Sequence, residues 1–290
     1  MSQGMREHLI EESRDTFAGF RTRVLSVAGD SPPLVLLHGF SDSADTWRPV
    51  LRALAVRGRA AIAVDMPSHG TADPLHGDRP MLTQLTDFAL DVVRRRDHPG
   101  TIVAGNSLGG MVGLLAAETP GVLAGVVGVC PAGFSYSPWM LANAQRLTGP
   151  GRRRALAAAS AVAPAWLVAR TARAFISGAF ADRGAVDPRF AFDYAAHVAP
   201  RRARRNLLAL LYGLSSEAMD SPIHPDRISC PVLLVWGERD PLTPSSGARI
   251  LTDARPDVRV ELLTGVGHMP QLETPARLTA LLTDFTPRLR

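Results

Sequence analysis

Gly105-Asn106-Ser107-Leu108-Gly109 is the stretch that decides the fold of this chain. It follows the apolar run Thr101–Ala104 and precedes Gly110–Ala117, a segment with the composition of a helix. A strand, a sharp turn and a helix with a serine at the apex form the context of a nucleophile elbow. Such a turn needs a positive φ at its apex and brings strand and helix so close that side chains at 105 and 109 would collide. The pattern therefore predicts that Ser107 projects at a helix N-terminus, where free N–H groups favour negative charge.

Further apolar runs predict a sheet of mostly parallel strands. They lie at Leu34–Leu37, Ala60–Val64, Val126–Val129, Val232–Trp236 and Val258–Leu263. Continuous apolar runs are typical of strands that are covered on both faces. Helical spacing of apolar residues follows at 82–96 and 275–285, and strands that alternate with helices predict an α/β fold with a doubly wound sheet. The alternating segment Phe20–Val27 predicts an early strand in an antiparallel pair at the sheet edge.

The interval from Ser135 to Ser221 interrupts this alternation. It is rich in Ala and Arg, is punctuated by prolines, and shows no strand pattern. We predict several short helices, inserted between two strands and covering the strand ends. The chain then divides into an α/β core of residues 1–134 and 222–290 and a helical cap of residues 135–221.

Composition places the chain among globular proteins and excludes several classes of partner. Its 290 residues suffice for one large core, and 46% of them are hydrophobic. The net charge of +5 comes entirely from arginine, since the chain contains no lysine. No nucleic-acid motif accompanies the arginines, so we expect a solvated basic face and no nucleic-acid partner. Cys130 and Cys230 lack metal-ligand spacing, and we expect buried free thiols in a reducing compartment, with no metal and no cofactor.

The sequence also bears on localisation. Residues 1–8 lack the apolar core of a signal peptide. The least polar long run, Ala155–Ala169, is broken by Pro164 and is too short to span a bilayer. We therefore expect a cytoplasmic protein without stable membrane insertion, while its oligomeric state stays open.

A serine hydroxyl becomes an effective nucleophile when a neighbouring base takes its proton, and histidine suits that role near neutral pH. His268 lies in the loop Gly265–Pro270 after the final strand, so we expect it at the same sheet edge as Ser107. Asp240 follows the preceding strand and is expected to orient the imidazole. Glu238 is the rival acid, and we expect it to face solvent or an arginine. The chain order Ser, Asp, His is that of the α/β-hydrolases.

The chain resembles the α/β-hydrolase family over nearly its whole length, the helical cap included. The matching landmarks are His38-Gly39-Phe40, Asp65–Gly70, Gly105–Gly109, Asp240 and His268. The resemblance implies that the backbone N–H groups of Phe40 and Leu108 form an oxyanion hole. Ser68 stands where the family usually has glycine. His38 and His69 are expected to make structural hydrogen bonds.

The residue at the elbow apex narrows the chemistry. Haloalkane dehalogenases and epoxide hydrolases place an aspartate there, whereas Ser107 favours acyl transfer to water. We predict a serine hydrolase that cleaves an ester, lactone or thioester through an acyl-enzyme. Three alternatives stay open: a hydrolase of carbon–carbon bonds in diketones, a non-hydrolytic lyase or cyclase on the same scaffold, and a binding protein with an inactive site.

The cap is expected to select the substrate, a medium-sized and largely apolar small molecule. The candidate substrate-binding residues are Trp139, Met140, Trp166 and Phe175 in the cap and Met269 beside His268. His197 and His224 lie in or near the cap, and we expect them to be solvent-exposed.

Overall fold

A computed structural model of the chain describes residues 9–148, 151–217 and 222–285. The segment 1–8, from which we predicted the absence of a signal peptide, lies outside the described residues. So do residues 218–221, where we placed the end of the cap.

Eight strands form one sheet in the described part of the chain. They are β1 (Glu11–Phe17), β2 (Phe20–Val27), β3 (Leu34–Leu37), β4 (Ala61–Val64), β5 (Ile102–Asn106), β6 (Gly125–Val129), β7 (Val232–Gly237) and β8 (Arg259–Leu263). Their spatial order is β1-β2-β4-β3-β5-β6-β7-β8. Strands β1 and β2 form an antiparallel hairpin, β2 is antiparallel to β4, and all other neighbours are parallel. The predicted mostly parallel sheet is thus confirmed.

Helices follow or separate these strands. The α-helices are α1 (Arg48–Val56), α2 (Met81–Arg94), α3 (Leu108–Ala116), α4 (Pro138–Thr148), α5 (Arg152–Val162), α6 (Ala165–Ala179), α7 (Pro188–Val198), α8 (Arg201–Glu217), α9 (Ala248–Ala254), α10 (Pro270–Glu273) and α11 (Pro275–Asp284). Short 3₁₀ turns lie at Ala44–Trp47, Arg183–Ala185, Pro225–Arg227 and Ser245–Gly247. Helices α4 to α8 all lie between β6 and β7, and we call this segment the helical insertion (Pro138–Glu217).

The sheet is buried on both faces. On one face, α2 and α3 pack on the strands through residues such as Phe88 and Met111. On the other face, α1 and α11 do so through Leu51 and Leu278. The helical insertion has a small apolar cluster of its own, to which Met269 of the core contributes. Because both faces are covered, the strands read as continuous apolar runs.

Strand β1 was not predicted from the sequence. In β1, residues 11–16 are exposed or half-buried and only Phe17 is fully buried. The strand lies at the sheet edge, where its backbone pairs with β2 along its whole length. Pairing of this kind needs no apolar side chains, and hydrophobic periodicity therefore gives no signal.

The nucleophile elbow has the predicted backbone conformation. Ser107 joins β5 to α3 with φ 53° and ψ −114°, a left-handed conformation that side-chain-bearing residues rarely adopt. A Cβ atom at Gly105 would lie 2.1 Å from the carbonyl oxygen of Gly109. A Cβ atom at Gly109 would lie 2.4 Å from the carbonyl oxygen of Leu37. Strand and helix therefore approach each other at a distance that only glycine permits.

Two further predictions concern the cysteines and the membrane. Cys130 and Cys230 are buried free thiols, as expected. None of the helices within the described ranges is by itself long and apolar enough to cross a membrane. Helices α5 and α6 reach the length and apolar composition of a membrane-spanning helix only together, and they meet at a bend of 115°.

We expect Gly105→Ala to lower the free energy of unfolding by about 1–3 kcal/mol or more, because the added methyl group overlaps the backbone of Gly109. Urea denaturation followed by circular dichroism measures this loss. Gly77→Ala is the matched control, since a Cβ atom there meets nothing within 4 Å. Equal stability of the two variants would contradict the close approach of β5 and α3.

Candidate active site

The sheet edge at the carboxyl ends of the parallel strands gathers the candidate residues. Strand β5 ends directly before Ser107, β7 ends three residues before Asp240, and β8 ends five residues before His268. Parallel strands end at one edge of a sheet, which is where ligands bind in open α/β folds. Ser107 and His268 accordingly line the same cavity.

Backbone hydrogen bonds hold Ser107 at the apex of the elbow. Its N–H donates to the carbonyl oxygen of Val129 at 3.0 Å. Its carbonyl oxygen accepts from the N–H groups of Met111 and Ala132, each at 3.0 Å. These bonds tie the strained turn to β6 and to α3, so that the surroundings compensate the cost of the positive φ.

Asp240 and His268 form a buried pair. The imidazole Nδ1–H donates to Oδ2 of Asp240 at 2.8 Å, and the two side chains are 5% and 0% exposed respectively. Donation through Nδ1 leaves Nε2 as the proton acceptor of the ring. Burial acts to raise the pKa of Asp240, but the electrostatic interaction with His268 and several hydrogen bonds outweigh it and hold this pKa below its usual range. Asp240 is therefore ionised and can stabilise an imidazolium.

Thr243 completes the surroundings of Asp240, and sequence reasoning did not find it. Its hydroxyl lies 2.8 Å from Oδ2 of Asp240, and its N–H donates to Oδ1 at 3.0 Å. The N–H of Leu242 donates to the same Oδ1 at 2.8 Å. Thr243 is anchored in turn, because the indole N–H of Trp236 donates to its carbonyl oxygen at 2.7 Å. A threonine in a Pro-rich loop gives no distinctive sequence signal.

The loop that carries His268 is held from three sides. The side-chain amide of Asn106 donates to the carbonyl oxygen of His268 at 3.0 Å and so joins this loop to the elbow. The N–H of His268 donates to the carbonyl oxygen of Ala179 at the end of α6. The carboxylate of Glu273 accepts the N–H groups of Gly267 and Met269 at 3.0 and 3.1 Å. These contacts fix the position of the imidazole relative to Ser107.

Phe40 and Leu108 are the residues for which the family resemblance implies an oxyanion hole. Both residues line the cavity beside Ser107. Leu108 is the first residue of α3, and the N–H at that position has no acceptor within its helix. The N–H of Phe40 donates no hydrogen bond to any residue within the described ranges. Both amides are therefore available to a ligand.

A buried ion cluster anchors the loop that carries Phe40. Asp65 is fully buried, accepts the N–H of Ala44 at 2.9 Å, and pairs with the guanidinium of Arg23 at 3.1 Å. Arg23 also pairs with Asp45 at 2.6 Å. Asp45 lies in the turn that follows Phe40, and the cluster thereby connects β2, β4 and this loop.

The cavity has a volume of about 370 Å³ and a mostly apolar lining. Of the predicted substrate-binding residues, Trp139, Met140, Phe175 and Met269 line it. Tyr136, Leu211, Leu214 and Leu242 also line it and were not predicted. Leu211 and Leu214 lie on α8, far along the chain from the elbow, and only the tertiary fold brings them near Ser107.

Trp166 was wrongly predicted to contact substrate. It is 65% exposed and does not belong to the cavity lining. Trp166 and Phe175 are both on α6 and lie nine residues apart, which places them about half a turn from each other around the helix. Since Phe175 faces the cavity, Trp166 faces away from it.

The other predicted histidines make structural contacts. His38 Nδ1 lies 2.8 Å from the carbonyl oxygen of Gly39, and its Nε2 accepts the N–H of Met66 at 2.9 Å. His69 Nδ1 lies 3.0 Å from the carbonyl oxygen of Pro67. Burial lowers the pKa of His69 to about 3, so the ring is neutral. His224 is half exposed beside Glu118, and His197 is partly buried.

The rival acid Glu238 and the thiol of Cys130 take no part in the hydrogen bond between Asp240 and His268. Glu238 is exposed and accepts the N–H of Gly265 at 3.1 Å. Cys130, Asp240 and His268 place their potential ligand atoms within 4.8 Å of one another. Burial, followed by the charge of Asp240, raises the pKa of the Cys130 thiol well above its usual value. Nδ1 of His268 is already hydrogen-bonded to Asp240, and we assign no metal to this cluster.

A family model described as the alpha/beta hydrolase family matches residues 34–281. Human monoacylglycerol lipase ABHD6 is 27% identical, over 89% of this chain and 76% of that protein. An uncharacterized protein of Mycobacterium tuberculosis, MT2788, is 26% identical over 93% of this chain and 79% of its own length.

Solved structures show the same fold. Cfl2 of Burkholderia cenocepacia has a TM-score of 0.79 at 20% identity and covers 96% of each chain. The 2-hydroxy-6-oxo-6-phenylhexa-2,4-dienoate hydrolase of a Rhodococcus strain has a TM-score of 0.76 at 20% identity, over 94% of this chain and 97% of its own. At such identities these likenesses establish the architecture alone.

We expect Asp240→Asn to lower kcat by about 10³- to 10⁴-fold, because an amide in place of the carboxylate favours the wrong tautomer of His268. Steady-state kinetics on an activated ester measures the loss. Glu238→Gln is the control, and its kcat should change less than about threefold. The reverse outcome would transfer the role to Glu238.

We also expect Asp45 to make stability depend on acidity. Burial acts to raise its pKa, but hydrogen bonds and charge from Arg23 and Arg48 lower it to about 2. The unfolded value is about 3.9. Since the folded value is the lower one, the contribution of Asp45 is complete above about pH 4 and is lost as the pH falls towards 2.

The urea midpoints of wild type and Asp45→Asn test this. Their difference should be constant from about pH 7 to 5 and should shrink below about pH 4. A difference that stays unchanged at low pH would show that the carboxylate does not carry the effect.

Proposed function

Since this chain belongs to the alpha/beta hydrolase family, we propose that it hydrolyses acyl esters through a covalent acyl-enzyme on Ser107. His268 is the general base, Asp240 orients it, and the N–H groups of Phe40 and Leu108 bind the oxyanion. One observation carries the proposal. Ser107 and His268 line one apolar cavity, and the imidazole is hydrogen-bonded at 2.8 Å to a buried, ionised carboxylate.

The first half-reaction forms the acyl-enzyme. Nε2 of His268 takes the hydroxyl proton as the oxygen of Ser107 attacks the ester carbonyl. The developing oxyanion accepts hydrogen bonds from the amides of Phe40 and Leu108, each typically worth roughly 3–4 kcal/mol of transition-state stabilisation. His268 then gives its proton to the departing alcohol as the carbon–oxygen bond breaks.

The second half-reaction releases the acid. Water enters the place of the alcohol, loses a proton to Nε2 of His268, and attacks the acyl carbonyl. The same two amides stabilise the second oxyanion. The bond to Ser107 breaks, the serine oxygen recovers the proton from His268, and the carboxylic acid leaves.

The cavity supports a medium-sized, largely apolar acyl group. Its volume of about 370 Å³ falls within the range of small-molecule sites. Trp139, Met140, Phe175 and Leu211 offer aromatic and aliphatic contacts to an acyl chain. The name of the ABHD6 relative, a monoacylglycerol lipase, supports an ester of this kind. Thioesters and lactones react by the same steps.

The helical insertion supplies much of the cavity lining. We propose that residues 135–221 act as a cap that selects the substrate, because α4, α6 and α8 all contribute to the cavity lining.

We further propose that the protein works in the cytoplasm. Two buried cysteines that remain free thiols are consistent with a reducing compartment.

We expect Ser107→Ala to lower kcat at least about 10³-fold on p-nitrophenyl esters, because the nucleophile is lost. Wild-type activity should rise with acyl chain length until the chain fills the cavity. A rate profile across the ester series measures both effects. Near-native turnover by Ser107→Ala would refute the acyl-enzyme.

The alternative chemistries give other outcomes in the same experiment. A lyase, a cyclase or an inactive binding protein would leave the whole ester series intact. A carbon–carbon bond hydrolase would release acid from a diketone faster than from any ester of similar size. Either result would replace the proposed ester substrate.

A further inference from the structure

A second cavity lies beside the catalytic one, and its lining is more polar. It has a volume of about 350 Å³, and slightly more than half of its lining is polar. The contributing elements are the β1–β2 hairpin, the loop 68–73 after β4, and helices α7 and α8. The mechanism described above does not use it.

The two cavities share one side chain. Asp42 lines both of them, and it lies in the same loop as the oxyanion-hole residue Phe40. Helix α8 also runs along both. Arg202 and Asn206, near its beginning, line the polar cavity, whereas Leu211 and Leu214, further along, line the apolar one. Ala203 and Leu207, which also line the polar cavity, share one helix face with Leu211 and Leu214, so a single face of α8 connects the two cavities.

The polar cavity has an excess of uncompensated positive charge. Arg14, Arg21 and Arg202 line it, and their guanidinium groups form no ion pair within the described ranges of the chain. The two acidic residues of its lining, Asp73 and Asp42, both accept backbone hydrogen bonds. Asp73 accepts the backbone N–H of Arg21 at 3.0 Å, and Asp42 accepts that of Ser43 at 2.8 Å.

The carboxyl group of Asp42 is also only partly ionised near neutral pH. Burial, more than any other cause, raises the pKa of this carboxyl group to about 7. Near neutral pH it therefore carries less than a full negative charge and does not cancel the three arginines. Its Oδ2 atom is buried and has no hydrogen-bond partner among the described residues.

We propose that the polar cavity binds an anionic headgroup on the alcohol side of the substrate, while the acyl chain occupies the apolar cavity. This inference rests on the proposed ester hydrolysis. Guanidinium groups bind phosphate and carboxylate through paired hydrogen bonds, and Arg14, Arg21 and Arg202 offer such donors around one space. The preferred substrate is then an amphiphilic monoacyl ester of a phosphorylated polyol, whose carbonyl lies at Ser107 between its two halves.

The test compares two esters that share one acyl chain, a monoacylglycerol and the corresponding acylglycerol 3-phosphate. We expect wild type to prefer the phosphorylated ester in kcat/KM. Arg21→Gln and Arg202→Gln should each lower the ratio of phosphorylated to neutral ester about tenfold. Arg205→Gln is the matched control, because this arginine is exposed on α8 and lines neither cavity.

A binding measurement separates this inference from the proposed function. Calorimetric titration of Ser107→Ala with glycerol 3-phosphate should show binding that Arg202→Gln in the same background weakens about tenfold. If no ester is hydrolysed but this binding occurs, the proposed function fails while the anion site survives.

Three results would overturn the inference itself. They are an unchanged ratio in both arginine variants, the absence of glycerol 3-phosphate binding, and binding of inorganic phosphate as tight as that of glycerol 3-phosphate. The last result would indicate a site for free phosphate and not for a headgroup.

Discussion

The contact between β5 and α3 at the elbow is the constraint on which the rest of the site depends. A methyl group at Gly105 or at Gly109 would overlap backbone atoms, so the strand and the helix meet backbone to backbone. That approach forces Ser107 into a left-handed conformation with φ 53° and lifts its hydroxyl above the sheet. It also places Leu108, whose N–H has no acceptor within α3, directly after Ser107 in the cavity lining. The positions of the proposed nucleophile and of one proposed oxyanion-hole amide thus depend on the same steric constraint.

The remaining groups reach Ser107 because the parallel strands end at one edge. Hydrogen bonds then connect parts that are distant in sequence. Asn106 joins the elbow to the loop of His268, and the N–H of His268 joins that loop to Ala179 at the end of α6. Asp65 and Arg23 fasten the loop of Phe40 to β2 and β4. The helical insertion therefore contacts the loop of His268 as well as the cavity, and a change in α6 would act on both.

Residue patterns predicted the parts that local chemistry determines. The elbow, the buried strands and the placement of Asp240 and His268 depend on glycines, apolar runs and positions just after strands, all of which are visible in the chain. Strand β1 was missed because backbone pairing with β2 stabilises exposed polar residues. Thr243 and Glu273 act through hydrogen bonds that only the folded loops create. Trp166 lies outside the cavity, whereas Phe175 on the opposite face of α6 lines it, because composition does not tell which face of this helix meets the cavity.

Reaction with a fluorophosphonate probe, followed by mass spectrometry of the digested protein, tests directly whether Ser107 is an activated nucleophile. The probe forms a covalent bond only with a serine that a neighbouring base activates, and it needs no knowledge of the substrate. We expect one adduct, on the peptide that contains Ser107, and its loss in His268→Ala. An unlabelled protein, a label on another serine, or labelling of Ser107 that persists without the imidazole would contradict it.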